Sequence, residues 1–143
     1  MYRHISVVLI FLIGLNSSSQ NWLTNFDKAK EIAKQNNQNI ILVFSGSDWC
    51  APCIKMEREI WATREFISYS NTNFVMLKAD FPRRKKNGLT AEQQNHNNIL
   101  AEKYNSNGYF PLVVVLDANG KTLGQTGYQK LVPDEFIELL NSY

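Results

Sequence analysis

The segment from Ile40 to Phe44 is a run of five apolar residues, three of them β-branched. A polar run, 36–39, precedes it, and the turn-forming residues 45–47 follow. A short, continuous apolar run between turn residues is typical of a strand that is buried on both faces of a sheet. The chain is therefore expected to fold in layers, with a central sheet covered on both sides.

Helical and strand patterns alternate along the rest of the chain. The predicted helices span 23–36, 50–62, 64–69, 90–104 and a last segment from Pro133, and the predicted strands span 40–44, 73–79, 112–116 and 121–128. Thr24 or Asn25 is expected to cap the first helix, and Thr90 with Gln93 forms a capping-box pattern. Asn119-Gly120 is a strong hairpin signal, so the last two strands should pair antiparallel. This order predicts an α/β fold with a central mixed β-sheet flanked by helices.

The first nineteen residues have the pattern of a secretory signal peptide. Arg3 provides a positive start, and an apolar run extends from Ile5 to Leu15. Ser17 and Ser19 are the small residues expected before a cleavage site. We therefore predict a signal peptide over 1–19, a single mature domain over 20–143, and a periplasmic or secreted protein.

The apolar run at the N-terminus is shorter than the roughly 20 residues that span a bilayer. No stable membrane span is therefore expected after signal cleavage. The alternative is that the segment is retained as an uncleaved N-terminal anchor.

The net charge of +2 gives no indication of a nucleic-acid partner. Four cations are consecutive at 83–86, but Pro82 and Gly88 flank them, which is typical of a solvated loop. A nucleic-acid interface needs a broader basic face. We expect no nucleic acid, and a monomer of one domain.

The chain has two cysteines, Cys50 and Cys53. A disulfide between them closes a very small loop, so it stabilises the fold little, but the spacing suits a redox pair. The pair lies at the predicted start of a helix, where unpaired N–H groups and the macrodipole favour a thiolate. Cys50, which we expect to be the more exposed, should attack, and Cys53 should resolve the mixed disulfide. Pro52 is compatible with a first helical turn.

A metal site is the alternative explanation of the two cysteines. Structural zinc takes four ligands, and no second cysteine pair is present. His4 lies in the predicted signal peptide, and His96 lies on a polar helix stretch that is expected to face solvent. We therefore expect neither zinc nor a two-thiolate copper(I) site, and no organic cofactor.

The run Trp49 to Lys55 (WCAPCIK) closely resembles the active-site signature of the thioredoxin superfamily, WCGPCK. Phe110-Pro111, directly before an apolar strand, resembles that family's cis-proline. The similarity extends over about 22–143, and GSDW before Cys50 resembles a secreted bacterial branch. The resemblance implies a thioredoxin-like fold in which Pro111 is cis and faces the cysteines.

The resemblance also implies roles for residues around the cysteine pair. Trp49 and Pro52 would support it, with Trp49 shielding one side. Tyr109 and Phe110, beside the cis-proline, would line the groove that receives the substrate chain.

Three features depart from the thioredoxin pattern. Ala51 replaces a glycine, and the loop 81–89 is longer and more basic. The strand before the cysteines lacks a buried aspartate that assists the resolving cysteine, and Asp48 is too close to the pair to replace it. Glu57 or Lys78 could substitute, unless each is an ordinary surface charge.

These features together predict a thiol–disulfide oxidoreductase of the reductase or isomerase type. Its partners would be protein substrates with thiols or disulfides and an upstream redox protein that supplies electrons. The alternative is a redox-inactive binding or assembly protein that holds partners in the groove beside Pro111.

Overall fold

The computed structural model describes residues 19–143. The predicted signal peptide, apart from its last residue Ser19, lies outside the described residues. Among residues 19–143, no helix combines the length and the apolar character that crossing a bilayer requires.

Five α-helices and four strands alternate along the described chain. The helices are α1 (Phe26–Asn36), α2 (Ala51–Met56), α3 (Arg64–Asn73), α4 (Ala91–Tyr104) and α5 (Pro133–Asn141), and the strands are β1 (Asn39–Ser45), β2 (Phe74–Asp80), β3 (Leu112–Leu116) and β4 (Thr122–Thr126). A π-helical segment (Glu57–Trp61) follows α2, and a short 3-10 turn (Lys85–Asn87) precedes α4.

The four strands form one sheet in the order β2-β1-β3-β4. β1 pairs parallel with β2 and antiparallel with β3, and β3 pairs antiparallel with β4. The predicted mixed sheet and the predicted hairpin are both confirmed. β1 is central, and its five apolar residues are at most 1% exposed.

Helices cover both faces of the sheet because successive side chains of β1 point to opposite faces. Ile41 and Val43 belong to a core that contains Trp61, Phe66 and Phe136. The alternate residues of β1 belong to a second core, formed with α1 and α4. Full burial of one such aliphatic side chain contributes about 1.5–3 kcal/mol, so the two cores hold the sheet between its helices.

Helix α1 begins three residues later than the sequence pattern predicts. Leu23 is drawn into the sheet, since its N–H donates to Met76 O and its carbonyl accepts from Lys78 N, both at 2.9 Å. Asn25, one of the two predicted caps, accepts from Lys28 N at 2.8 Å. Pairing with a strand therefore overrides the helical periodicity at Leu23.

Two predictions for α4 are wrong in detail. Thr90 caps the helix by accepting from Gln93 N, but the Gln93 amide donates to Thr24 O at 3.0 Å instead of closing a capping box. His96 is half-buried rather than solvated, and its Nε2 accepts from Phe26 N at 3.0 Å. The polar side of α4 thus provides partners for the unpaired groups at the start of α1.

Other boundaries shift by a few residues. The predicted helix 50–62 changes to π-helical geometry at Glu57, α3 extends to Asn73, and β4 ends at Thr126 instead of Tyr128. None of these differences moves the two cysteines from the start of α2.

Candidate active site

Cys50 and Cys53 form a disulfide at the N-terminus of α2, with an S–S distance of 2.11 Å. Cys50 is the N-cap residue, and its Sγ accepts from Cys53 N at 3.3 Å. Pro52 lies in the first turn, where a missing N–H removes no helical hydrogen bond. Cys50 therefore holds the predicted helix-start position.

The two cysteines are equally buried, each 4% exposed. The expectation that Cys50 is more exposed than Cys53 is therefore wrong for this disulfide form. Their surroundings still differ, because Cys50 Sγ accepts a helix N–H while Cys53 Sγ accepts from Gly46 N at 3.5 Å and borders a cavity. Position on the helix, rather than exposure, distinguishes the two sulfurs.

Trp49, directly before the pair, is held by a hydrogen bond and by close packing. Its Nε1 donates to Phe81 O at 2.7 Å. The backbone of Gly46 approaches the indole so closely that an added Cβ would lie 2.6 Å from Trp49 Nε1. Only glycine avoids this overlap, so Gly46 determines where the Trp49 ring lies.

The Phe110–Pro111 peptide bond is cis, as predicted, and Pro111 is buried. The Phe110 ring packs against Trp49 and Phe81 in edge-to-face geometry, with centroid distances of 5.3 and 5.5 Å. The structure thus brings Phe110 to the tryptophan next to Cys50.

Tyr109 has a different environment from Phe110. It is 58% exposed, and its backbone N–H and carbonyl are both bonded to the Asn105 side chain. It lines a hollow with Lys103 and Gln125. Of the two predicted groove residues, Phe110 is the one whose ring contacts Trp49.

A cavity of about 450 Å³ is lined by Cys53, Glu57 and Lys78, among others. Lys78 Nζ lies 3.1 Å from Glu57 Oε2, and the exposed fractions of the two side chains are 23% and 48%. Lys78 is paired in register with Val43 of β1, so this ion pair lies beside the strand that lacks the aspartate. Both residues that the sequence offers as substitutes for the missing aspartate therefore line the cavity beside Cys53.

Asp48 connects the cysteine loop to the basic loop, which we define as 81–89. Its carboxylate accepts from Arg83 N at 2.9 Å, Arg84 N at 3.0 Å and Asn87 Nδ2 at 2.9 Å. These hydrogen bonds lower the pKa of Asp48 from 3.8 to about 2. The role of Asp48 was missed by sequence reasoning, because its partners are 35 to 39 residues away.

A second set of hydrogen bonds, next to those of Asp48, joins the end of β2 to the segment before Cys50. Asp80 accepts from Ser47 N at 2.9 Å and from Ser47 Oγ at 2.6 Å, and Phe81 N donates to Ser45 O. The start of the basic loop is therefore bonded to the segment that leads into Cys50.

No group of three potential metal ligands among His, Cys, Asp and Glu comes together within residues 19–143. The ring of His96 is instead part of the α1 and α4 contact.

Comparisons with known proteins agree with this geometry. The family model described as a thioredoxin-like domain matches residues 26–143. The disulfide bond reductase DsbH of Chlamydia pneumoniae is 38% identical over 105 residues, which are 73% of this chain and 61% of that protein. The thioredoxin-related protein DsbJ of the same organism is 26% identical over 112 residues, 78% of this chain and 31% of that protein. The chain thus spans less than two thirds of either curated relative.

Solved structures share the fold. A structure of the DsbH oxidoreductase has a TM-score of 0.81 and 30% identity, and the match covers 96% of this chain and 93% of that one. A thioredoxin from Thermus thermophilus has a TM-score of 0.62 at 18% identity, with 87% of each chain covered, which is a likeness of fold alone.

Proposed function

The chain belongs to the thioredoxin-like family, and on that premise we propose that it is a protein thiol–disulfide oxidoreductase of the reductase or isomerase type. The observation that carries the proposal is the disulfide between Cys50 and Cys53 at the first turn of α2. The relative DsbH of Chlamydia pneumoniae is named a disulfide bond reductase, which supports electron transfer from this protein to substrate disulfides.

In the first half-reaction, the Cys50 thiolate attacks one sulfur of a substrate disulfide. A bond forms between Cys50 Sγ and that sulfur, and the other substrate sulfur leaves with the electron pair as a thiolate. The Cys53 N–H and the positive end of α2 stabilise the attacking thiolate before the bond forms.

In the second half-reaction, Cys53 loses its proton and attacks Cys50 Sγ. The Cys50–Cys53 disulfide forms, and the second substrate sulfur leaves as a thiolate. The substrate has gained two electrons and the enzyme has lost two, so an upstream redox protein must reduce the enzyme again. No metal or organic cofactor takes part in these steps.

The second half-reaction requires a group that accepts the Cys53 proton. Glu57 is the carboxylate that lines the same cavity as Cys53, and its Oε2 lies 3.1 Å from Lys78 Nζ. We assign Glu57 as the proton acceptor, acting through water in the cavity, and Lys78 as its positioning partner.

The substrate chain would lie beside Pro111, with Trp49 and Phe110 as the apolar wall of the groove. Tyr109 is the exposed residue that would contact parts of the substrate farther from the disulfide. We further propose that 1–19 is a signal peptide and that 20–143 acts as a monomer in the periplasm or outside the cell.

Reduction of insulin disulfides by the purified protein, with dithiothreitol as electron source, tests the proposal. We expect turnover by the wild type, and none by C50S or C53S. C53S should accumulate a mixed disulfide with its substrate, whereas C50S should not. Absence of turnover together with tight, thiol-independent binding of partners would instead favour the binding or assembly protein.

A further inference from the structure

The basic loop carries four consecutive exposed cations, Arg83 to Lys86. A charge run of this kind is ordinarily a solvated loop without a fixed position. Here Asp48, two residues before Cys50, accepts two of the loop's backbone N–H groups and the Asn87 amide. Four positive charges are therefore held at the border of the cysteine site.

Arg83 is the cation of the basic loop that packs on the tryptophan next to Cys50. Its Cζ lies 3.7 Å from the centroid of the Trp49 ring, and Trp49 directly precedes Cys50. A guanidinium stacked by its face keeps its N–H groups directed outward in its own plane, where they can bind a carboxylate. Trp49 thus holds Arg83 where a substrate can contact it.

The charges of the four cations are offset only in part by Asp48, because its carboxylate bonds to the backbone of the basic loop and to Asn87. None of the ion pairs within residues 19–143 includes Arg83 to Lys86, whereas Lys28, Lys30 and Lys78 are each paired. Asp48, before Cys50, and Asp80, at the end of β2, use their oxygens for hydrogen bonds to loop residues. The exposed surface of the basic loop is left strongly positive.

We propose that the basic loop is a docking surface for an acidic polypeptide segment that flanks the disulfide of a protein substrate. This inference rests on the proposed function and adds the class of substrate. The four cations are all exposed, so one chain that carries several carboxylates can contact them together, whereas a small anion brings only one or two negative charges. Opposite charge also raises the rate of encounter, by about tenfold or more at low ionic strength.

The test uses two disulfide peptides that differ only in having glutamates or lysines beside the cysteines. The rates at which the reduced protein reduces these peptides are compared with its rate for uncharged hydroxyethyl disulfide. We expect the glutamate peptide to react about tenfold faster than the lysine peptide at low salt, and the ratio to approach one at high salt.

Charge removal identifies the source of the preference. K85Q/K86Q should lower the ratio of the glutamate-peptide rate to the lysine-peptide rate to below about threefold. It should leave the rate with hydroxyethyl disulfide unchanged. The matched variant K34Q/K121Q removes two exposed lysines on α1 and in the β3–β4 turn, and it should keep the full ratio. D48N retains all four cations but loosens the basic loop, and it should also lower the ratio.

The outcomes separate this inference from the proposed function. Failure to reduce hydroxyethyl disulfide or either peptide contradicts the proposed function. Equal rates for the two peptides, or an equal loss of preference in both lysine variants, overturn the docking surface alone. The docking surface is also overturned if oxidised glutathione is reduced as much faster than the lysine peptide as the glutamate peptide is. Binding of the protein to anionic vesicles, without a preference between the two peptides, overturns it as well.

Discussion

The backbone N–H of Arg83 donates to the carboxylate of Asp48 across 35 residues of sequence. This bond joins the loop that leads into Cys50 to the loop that follows β2. A single carboxylate therefore couples the position of the cysteines to the position of the basic loop.

The coupling predicts a pH dependence of stability. The pKa of Asp48 is lowered to about 2, so its ionised form stabilises the folded state fully above pH ~3.8, the value for the unfolded chain, and loses that effect as the pH falls through about 2. Urea unfolding of the wild type and of D48N should differ at pH 5, and the difference should shrink between pH 4 and 2. A difference that is constant over this range would contradict the assignment.

The thiol pKa values are predicted to differ in the reduced protein. Cys50, at the N-cap of α2, should have a pKa below the ~8.5 of a free cysteine, because the helix start stabilises its thiolate. Iodoacetamide alkylation followed across pH by mass spectrometry measures this directly. Faster alkylation of Cys53 than of Cys50 would reverse the assigned roles.

The E57Q substitution should slow resolution of the mixed disulfide. A positioned base contributes 10²-fold or more, and since Glu57 is half-exposed and water can replace it, we expect a loss of about tenfold. Stopped-flow kinetics should show a longer-lived mixed disulfide with an unchanged rate of the first attack. E65Q, which changes an exposed glutamate on α3, serves as the control and should react like the wild type.

The reduction potential should lie nearer −270 mV, the value for thioredoxin, than −120 mV, the value for a strong oxidant. Ala51 and Pro52 place no cation between the cysteines, and solvent screens the exposed cations of the basic loop, so we expect the helix start to be the main influence on the Cys50 thiolate. Each pKa unit of stabilisation is worth ~1.36 kcal/mol, or about 30 mV for a two-electron couple. Equilibration with glutathione buffers measures the potential, and a value above about −150 mV would make the protein an oxidase.

Replacement of Gly46 by alanine should destabilise the fold by about 1–3 kcal/mol, because the new methyl group overlaps the rigid Trp49 ring. Displacement of the ring should also break the hydrogen bond from Trp49 Nε1 to Phe81 O and lower reductase activity. Chemical unfolding and tryptophan fluorescence report the two effects. G127A is the control, since its nearest contact would be an ordinary 3.6 Å to Pro111 O.

Local patterns in the sequence determined the element order, the mixed sheet and the place of the cysteines. The apolar run of β1, the Asn119-Gly120 turn and the helix that starts at Cys50 each depend on neighbouring residues, so their signals are readable without the fold. Resemblance to a known signature, rather than local pattern, predicted the cis bond before Pro111.

The tertiary structure alone decided which distant groups meet. Leu23 leaves a helical pattern to bond with β2, and His96 turns inward to the start of α1, because unpaired backbone groups there take the nearest available partners. Asp48 accepts from backbone N–H groups of the basic loop for the same physical reason. Glu57 and Lys78, which line the cavity beside Cys53, instead meet through the attraction of their opposite charges. Contacts between residues far apart in sequence depend on how the sheet and helices pack, and no local propensity encodes that geometry.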